Sequence, residues 1–490
     1  MQLTSPTLKS FLRQNVQFFL FWAGVALAVR VIFLWKFRLL TNDSFVYGEI
    51  AKNWMQHGVF GQTYEQGPEP TFIRLPGYPL FLVIVWFVTG VEHYTAALVV
   101  QVVVDVLTCF VVADLARRIV VSVNPPLRQQ TAKGWSTLLN RFFQQEDAAP
   151  KIAFVLTALC PFFANYAAVA LTETWAIFFA ALAMDATVAA FDRAEMWKYW
   201  AFGGAALGAG ILLRPDGGML LGVIGVAGVW LAWRRRSKQL ALGLVLTVAI
   251  AIAPLVPWTI RNWRAFHLFQ PLTTTTATMP SEFVPHGFQR WSRTWIADYS
   301  SLEDVWFKVD GEAVTTADLP PRAFDDEKQR QRTDELFQAY INNGATLSST
   351  IDDGFGELAR ERIQAHKFRY YVGLPLMRAA DLWLRPRTEM LPIDPHWWRL
   401  WPDDQKQFRE AVALGAINLL YLAGAAIAVI RRKIRWAGFL LLFFVLRTAF
   451  LAWMPNPEPR YVLECYPAVL AMAAATVVRV GIPRGSRPSE

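Results

Sequence analysis

Apolar residues along this chain gather into windows of about 17 to 25 positions, the length at which a helix crosses the hydrocarbon core of a bilayer. They fall near 16–36, 95–116, 152–168, 171–191, 199–213, 217–233, 240–259, 411–430, 436–454 and 462–480, which predicts about ten membrane-spanning helices. One further apolar run, Pro76 to Gly90, is bounded by Pro and Gly. At about 14 residues it has the length of an interfacial or re-entrant helix rather than of a span. Its assignment decides the topology. With that run in the interface and a cytoplasmic N-terminus, every basic segment falls on one side: 117–151 (Arg117, Arg118, Arg128, Lys133, Arg141, Lys151), Arg193 with Lys198, Arg234 to Arg236 with Lys238, Arg431 to Lys433 with Arg435, and the tail with Arg484 and Arg487. The positive-inside rule requires that agreement, and a crossing run would invert it. Both chain ends are therefore expected in the cytoplasm.

Composition agrees with a membrane solvent. Of 490 residues 54% are hydrophobic and 21 are Trp, with a mean hydropathy of +0.27, more apolar than a soluble domain of this length needs. The formal net charge is +9, from 48 Lys and Arg against 39 Asp and Glu. The cations stand in short blocks between apolar segments instead of one patch, so topogenesis accounts for them and no nucleic-acid partner is expected. Cys109, Cys160 and Cys465 lie in or beside apolar segments, with no spacing that suits a disulfide framework or a zinc site. Lys9 and Arg13 precede a long apolar stretch with no small-residue cleavage site after it, which reads as an uncleaved anchor. The expected division is an N-terminal transmembrane module, 1–260, with a first outer loop at 37–94; an outer-face region, 261–410; and C-terminal transmembrane helices with a short cytoplasmic tail, 411–490.

The polar residues of the outer face are the candidates for chemistry. In the first loop, Phe45, Ile50, Trp54 and Met55 make one face of a short interfacial helix, and Asp43 and Ser44 suit its start. Read alone, Asp43 is a helix cap, worth about 1 kcal/mol. Further on, Phe72-Ile73-Arg74-Leu75-Pro76-Gly77-Tyr78-Pro79 puts Arg74 at the mouth of the apolar run. There it either snorkels to headgroups or offers its guanidinium fork to a phosphate at the membrane surface. Thr172-Glu173 lies between two spans, and Arg214-Pro215-Asp216-Gly217 makes a tight turn that a structural salt bridge also explains. Arg261 closes Pro257-Trp258-Thr259-Ile260-Arg261-Asn262-Trp263, and Glu458-Pro459-Arg460-Tyr461 precedes the last span. Together these charges exceed what anchoring needs, and charge at a membrane edge is a functional hypothesis.

Taken in order and on one face, these motifs resemble those of the GT-C membrane glycosyltransferases, above all the protein-mannosyltransferase-like and aminoarabinose-transferase-like branch, which takes a sugar from a polyprenyl-phosphate donor. The resemblance runs along nearly the whole chain. It implies an all-α polytopic GT-C fold with about ten transmembrane helices, an interfacial helical first outer loop and a larger outer-face insertion. It also implies inverting glycosyl transfer to an acceptor hydroxyl at the outer, periplasmic face of the plasma membrane. Asp43 matches the family's catalytic carboxylate, and Arg74 its basic residue on the lipid phosphate. Arg261 and Arg460 match further basic positions and are read as donor-phosphate binders. Glu173 matches a second acid near the sugar or acceptor, and Tyr78, Arg214, Asp216 and Tyr461 join it as sugar- and acceptor-binding positions. A phosphate leaving group develops negative charge that a positioned Arg stabilises more in the transition state than in the ground state.

The chain departs from that branch where Ile73, and not an acid, precedes Arg74. His57, Glu65 and Glu69 lack ligand-like spacing, so no metal or other cofactor is predicted, a divalent ion in this loop being the minor alternative. Expected partners are the polyprenyl-phosphate-linked sugar, the bilayer, and a glycan, lipid or protein acceptor. Within 261–410, Asp325 to Arg332 reads as a solvated helix face. Glu357 to Leu384 reads as one amphipathic helix on the membrane, whose Arg369, Tyr370, Tyr371, Arg378 and Trp383 could meet the acceptor; Trp397, Trp398 and Trp401 suit an aromatic belt. The formal sequon Asn42-Asp43-Ser44 beside the expected catalytic Asp43 suits a prokaryotic plasma membrane better than an endoplasmic reticulum. The competing class is a lipid or solute transporter or flippase, which needs charge within the spans. Arg30, Asp105 and Asp185 are the residues that keep that class open.

Overall fold

The structure is a computed structural model that describes residues 8–121, 148–274, 276–280 and 282–476. Arg128, Lys133, Arg141, Arg484 and Arg487, and the end of the last expected span, lie outside the described residues. The chain forms two compact units, one of residues 1–273, 419–443 and 464–490 and the other of 274–418 and 444–463.

The first unit opens with α1 (Leu8–Gln14) and α2 (Val16–Lys36). The loop after α2 holds α3 (Asn42–His57), the antiparallel hairpin β1 (Gly61–Tyr64) and β2 (Gly67–Pro70), and α4 (Gly77–Thr89). Then come α5 (Tyr94–Ile119), α6 (Ala148–Ala158), α7 (Pro161–Ala167) and α8 (Glu173–Asp192). They are followed by α9 (Trp197–Leu213), α10 (Gly218–Arg235), α11 (Lys238–Ile252) and α12 (Leu255–Phe266).

The apolar run after Pro76 forms a helix of only 13 residues, α4, stopped at Gly90 by a backbone of φ 98 that a side chain would resist. Its first residue, Gly77, is required by packing: a Cβ there would lie 2.6 Å from the Leu212 carbonyl oxygen at the end of α9. Farther back along α9, Gly204 lets α11 approach, since a Cβ would sit 2.7 Å from the Thr247 carbonyl oxygen. Between α6 and α7 the chain bends by 50° before Pro161, which has no N–H to continue the ladder.

Six described helices are long and apolar enough to cross a membrane, or seven if α6 and α7 count as one broken span. The protein is therefore a multi-pass membrane protein. Two other expected spans form helices of 17 residues, α9 and α18 (Ala437–Trp453), and the last is represented by α19 (Tyr466–Ala474).

The second unit has its own core, in which Phe288, Trp291, Trp295, Phe337, Tyr340 and Phe355 are buried together. Around it lie α13 (His286–Ser292), α14 (Glu327–Asn342), α15 (Ser349–Ala365) and α16 (Leu374–Leu384). α17 (Gln405–Ile430) follows. The polar stretch from Asp325 begins α14, capped by Asp326 on the Gln329 N–H. The single amphipathic helix expected over 357–384 is two: α15 ends at Ala365, and a π turn at Arg369–Gly373 leads into α16. The chain leaves helical backbone at His366, φ −134 and ψ 59, and Pro375 stands in the first turn of α16, where its missing N–H interrupts no ladder of that helix. Residues expected to meet an acceptor are occupied here in holding the unit. Arg378 donates to the carbonyls of Ile296 (2.8 Å) and Ala452 (3.2 Å), and Trp383 to the Thr448 hydroxyl (2.8 Å).

Candidate functional site

The start of α3 sets the site. Thr41, with extended backbone, is its N-cap, and a capping box joins it to Ser44: the Ser44 N–H donates to the Thr41 hydroxyl (3.4 Å) and the Thr41 N–H to the Ser44 hydroxyl (2.9 Å). Asp43 is thus not the cap. It stands in the first turn, where the helix favours an anion, and its carboxylate accepts from Arg74 at 2.7 Å. The pair remains reachable, with 36% of the Asp43 side chain and 22% of the Arg74 side chain exposed.

Arg74 is brought there by an extended segment pinned on both sides. Arg261 donates to the carbonyls of Thr71 (2.7 Å) and Phe60 (2.6 Å), and its guanidinium sits 5.2 to 5.3 Å from the rings of Phe60, Trp258 and Phe266. The Thr273 hydroxyl donates to the Ile73 carbonyl at 2.8 Å. Arg261 is therefore a clamp on the first loop, built from the same α12 motif that marked it in the sequence.

A second charge cluster forms where α8 starts and α9 ends. Arg214 lies 3.1 Å from Glu173, 3.1 Å from Asp216 and 3.7 Å from Glu464. Glu173 and Glu464 are buried. One guanidinium thus gathers three carboxylates, a set of acceptors suited to hydroxyl donors. Glu464 was not singled out by sequence reasoning; its signal was an acid inside the last apolar window.

Tyr47 joins the two clusters and was also missed. It lies one turn after Asp43 on the same face of α3, with its ring 5.0 Å from that of Tyr78 and 5.7 Å from the Arg74 guanidinium. Burial pushes its phenol up to about 12, against the pull of Arg74 and Arg214 and with the push of Asp43 and Glu173. Its phenol thus feels charges from both clusters. Tyr78 itself is fully buried and donates to Gln101 at 2.7 Å, which in turn donates to the Val169 carbonyl at 2.8 Å. It supports Tyr47 from beneath.

Arg460 and Tyr461 belong to the second unit. Both turn to Glu458: Arg460 Nε lies 2.7 Å from its carboxylate and the Tyr461 hydroxyl donates to it at 2.7 Å. In the first unit an apolar groove of about 900 Å³ runs between α4, α5, α8 and α9, past Leu80, Phe81, Ile84, Val99, Trp175 and Leu213. Leu213 and Trp175 place its end beside Arg214 and Glu173. Among the described residues no three His, Cys, Asp or Glu side chains are grouped to hold a metal ion.

A family model described as dolichyl-phosphate-mannose-protein mannosyltransferase matches residues 137–260, less than half of the chain. No curated protein sequence matches. Among solved structures, the Archaeoglobus fulgidus oligosaccharyltransferase tethered to an acceptor peptide is similar with a TM-score of 0.50 and 14% identity, over 95% of this chain and 50% of that one. ArnT from Cupriavidus metallidurans bound to undecaprenyl phosphate is similar with a TM-score of 0.39 and 17% identity, over 93% and 77%. The chain thus spans about half the length of the archaeal enzyme. The chain shares its fold with that archaeal oligosaccharyltransferase.

Proposed function

We propose that this protein is an inverting glycosyltransferase that moves a sugar from a polyprenyl-phosphate donor to an acceptor hydroxyl at the outer face of a prokaryotic plasma membrane, with both chain ends cytoplasmic. The observation that carries this reading is the reachable Asp43–Arg74 pair, set beside the Arg214 cluster around Tyr47 where an apolar groove ends.

Asp43 accepts the proton of the acceptor hydroxyl as that oxygen bonds to the anomeric carbon. The bond from that carbon to the phosphate oxygen breaks, and the phosphate leaves with the electron pair. Arg74 couples the two events: as Asp43 becomes neutral its hold on the guanidinium weakens, while the departing phosphate gains the charge that attracts it. The polyprenyl chain lies in the apolar groove, which lets a water-insoluble donor present its headgroup to Arg74. Glu173, Asp216 and Arg214 bind hydroxyls of the sugar or acceptor. Arg261 acts as a positioning residue for Arg74. Arg460 and Tyr461, both held by Glu458, are the second unit's candidates for binding a phosphate and an acceptor.

Transfer from a synthetic polyprenyl-phosphate sugar by the purified protein tests the reading. Asp43→Asn and Arg74→Ala are each expected to lower the rate by about 10² to 10⁴. Full activity in both folded variants overturns it. For the topology, a cysteine placed at Tyr94 should react with impermeant reagent from outside the cell, and one at Gln129 should not.

A further inference from the structure

A second groove lies at the far end of α8 from Glu173. α8 has 20 residues, about 30 Å at 1.5 Å per residue, so this groove sits toward the opposite membrane face from the cluster described above. It encloses about 720 Å³ between the end of α8, the last turns of α10 and the start of α18. Phe191, Val226, Trp230, Leu231 and Phe439 line it, and Arg234, Arg235 and Trp436 stand at its rim.

The two arginines are unusual in what they face. Arg234 lies over the Trp230 ring at 5.1 Å and Arg235 over the Trp436 ring at 5.6 Å. Arg235 donates to the Phe191 carbonyl at 2.9 Å. Among the described residues neither has a carboxylate within ion-pair distance. The acid at this edge, Asp192, is held by Arg435 at 2.6 Å and by the Trp436 indole at 3.2 Å. Trp436 keeps that place with a left-handed backbone, φ 61, which a bulky side chain adopts only at a cost. Topogenesis explains why arginines occur at this end of α10. It does not explain an apolar slot that opens beneath two guanidinium groups flanked by indoles.

We propose that this groove binds an anionic glycerophospholipid. Its phosphate lies on Arg234 and Arg235, whose planar forks suit that anion, and one acyl chain runs along Val226, Trp230 and Phe439. A zwitterionic lipid brings its own ammonium to the same two cations and is disfavoured. Basic pockets between membrane helices are suited to such headgroups. The site is independent of the transfer chemistry at Asp43.

Native mass spectrometry of the full chain in detergent, with thermal unfolding in parallel, tests this. The probes are dioleoyl phosphatidylglycerol, dioleoyl phosphatidylcholine and inorganic phosphate. Phosphatidylglycerol is expected to remain bound and raise the unfolding temperature, with phosphatidylcholine weaker by about fivefold or more per arginine engaged and inorganic phosphate without effect. Arg234→Gln with Arg235→Gln removes the preference. Gly438→Trp adds its side chain into open space, since a Cβ there meets nothing within 4 Å, and fills the slot while leaving both arginines. It is expected to lose phosphatidylglycerol, and it keeps the test intact should the double variant not fold. Equal retention of the two lipids, unchanged retention in the Gly438→Trp protein, or equal stabilisation by phosphate alone overturns the proposal.

Discussion

The Asp43–Arg74 and Arg30–Asp105 pairs have nearly the same length, 2.7 and 2.6 Å, but the first exposes 36% and 22% of its side chains and the second 0% and 2%. Their surroundings explain the contrast. Arg30 also donates to the carbonyls of Ala158 and Thr157, the latter at 2.9 Å. Four residues after Thr157 stands Pro161, which has no N–H to offer that carbonyl. The Cys160 N–H at 3.2 Å and Arg30 together make up for the missing donor at the bend between α6 and α7, and Asp105 balances the arginine's charge. The intramembrane charge that kept a transport path open is thus engaged in repairing a helix break. Asp43 stands at a helix start that Thr41 and Ser44 already cap, so the helix does not need its carboxylate as a cap. A carboxylate and a guanidinium at hydrogen-bond distance carry no functional meaning by themselves; exposure, and what else the arginine must satisfy, decide it.

Breaking each pair should separate these roles. Arg30→Met is expected to destabilise the protein by about 3 to 5 kcal/mol, because it leaves a buried carboxylate unpaired and takes the arginine donor from the Ala158 carbonyl. Thermal unfolding in detergent reads this directly. Asp43→Asn should cost less than about 1 kcal/mol of stability, as exposed pairs do, while lowering transfer by the about 10² to 10⁴ stated above. A large stability loss at Asp43, or none at Arg30, contradicts the contrast.

A third arrangement, in the second unit, lies between these extremes. Asp325 is approached by Arg369 at 2.6 Å and by Arg362 at 3.2 Å, and Arg362 is itself buried and donates to Thr294 at 2.8 Å. Burial opposes ionisation of Asp325, but the hydrogen bond from Arg369 and the charges of both arginines outweigh it and hold the carboxyl below its ordinary value of 3.8. A depressed carboxyl contributes stability that is complete above that value and is lost as pH falls through the lower, folded one. Asp325→Asn should therefore cost about 2 kcal/mol near neutrality and flatten the acid limb of stability. Hydrogen exchange in α14 and α15 between pH 3 and 7 checks it, and an unchanged acid limb removes Asp325 as its source.

The order of these features along the chain is legible because each sits in a short motif: the 13-residue α4, the Arg-Pro-Asp turn after α9 and the Arg261 motif of α12 can all be picked out by eye. Which partner each charge takes is not. Asp43 reads as a cap until Thr41 is seen to be extended, and Arg74 reaches it only because a hairpin and the Arg261 clamp fold back the intervening residues. Arg261 itself looked like a phosphate binder, because a sequence shows a cation and hides the carbonyls that consume its donors. The apolar groove was unreadable for the same reason: its walls come from four helices, none of which carries the pattern alone. The break at His366 carries no signal of its own, because the apolar spacing continues across it.

Replacing the guanidinium of Arg74 sharpens the comparison at smaller magnitude. Arg74→Lys keeps the charge beside Asp43 but not the fork that meets two oxygens at once. If Arg74 holds a phosphate, the rate should fall about tenfold while stability is unchanged; if it only anchors the loop, lysine should serve equally in steady-state transfer.

The smallest expected effect is at Tyr47, and it tests whether the surrounding charges or the hydroxyl matter there. With its phenol near 12, Tyr47 is neutral at every pH at which a membrane enzyme is assayed. It cannot be the group that accepts a proton in place of Asp43, and no limb of a pH–rate profile below pH 10 belongs to it. Tyr47→Phe keeps the ring against Tyr78 and the face toward Arg74, so the rate should fall less than about tenfold and the profile should keep its shape. Tyr47→Ala removes the wall between the two charge clusters as well, and should lower the rate further by letting Arg74 and Arg214 shift. A Tyr47→Phe enzyme whose profile moved along the pH axis would show that the phenol, and not the carboxylate one turn before it, takes part in the proton transfer.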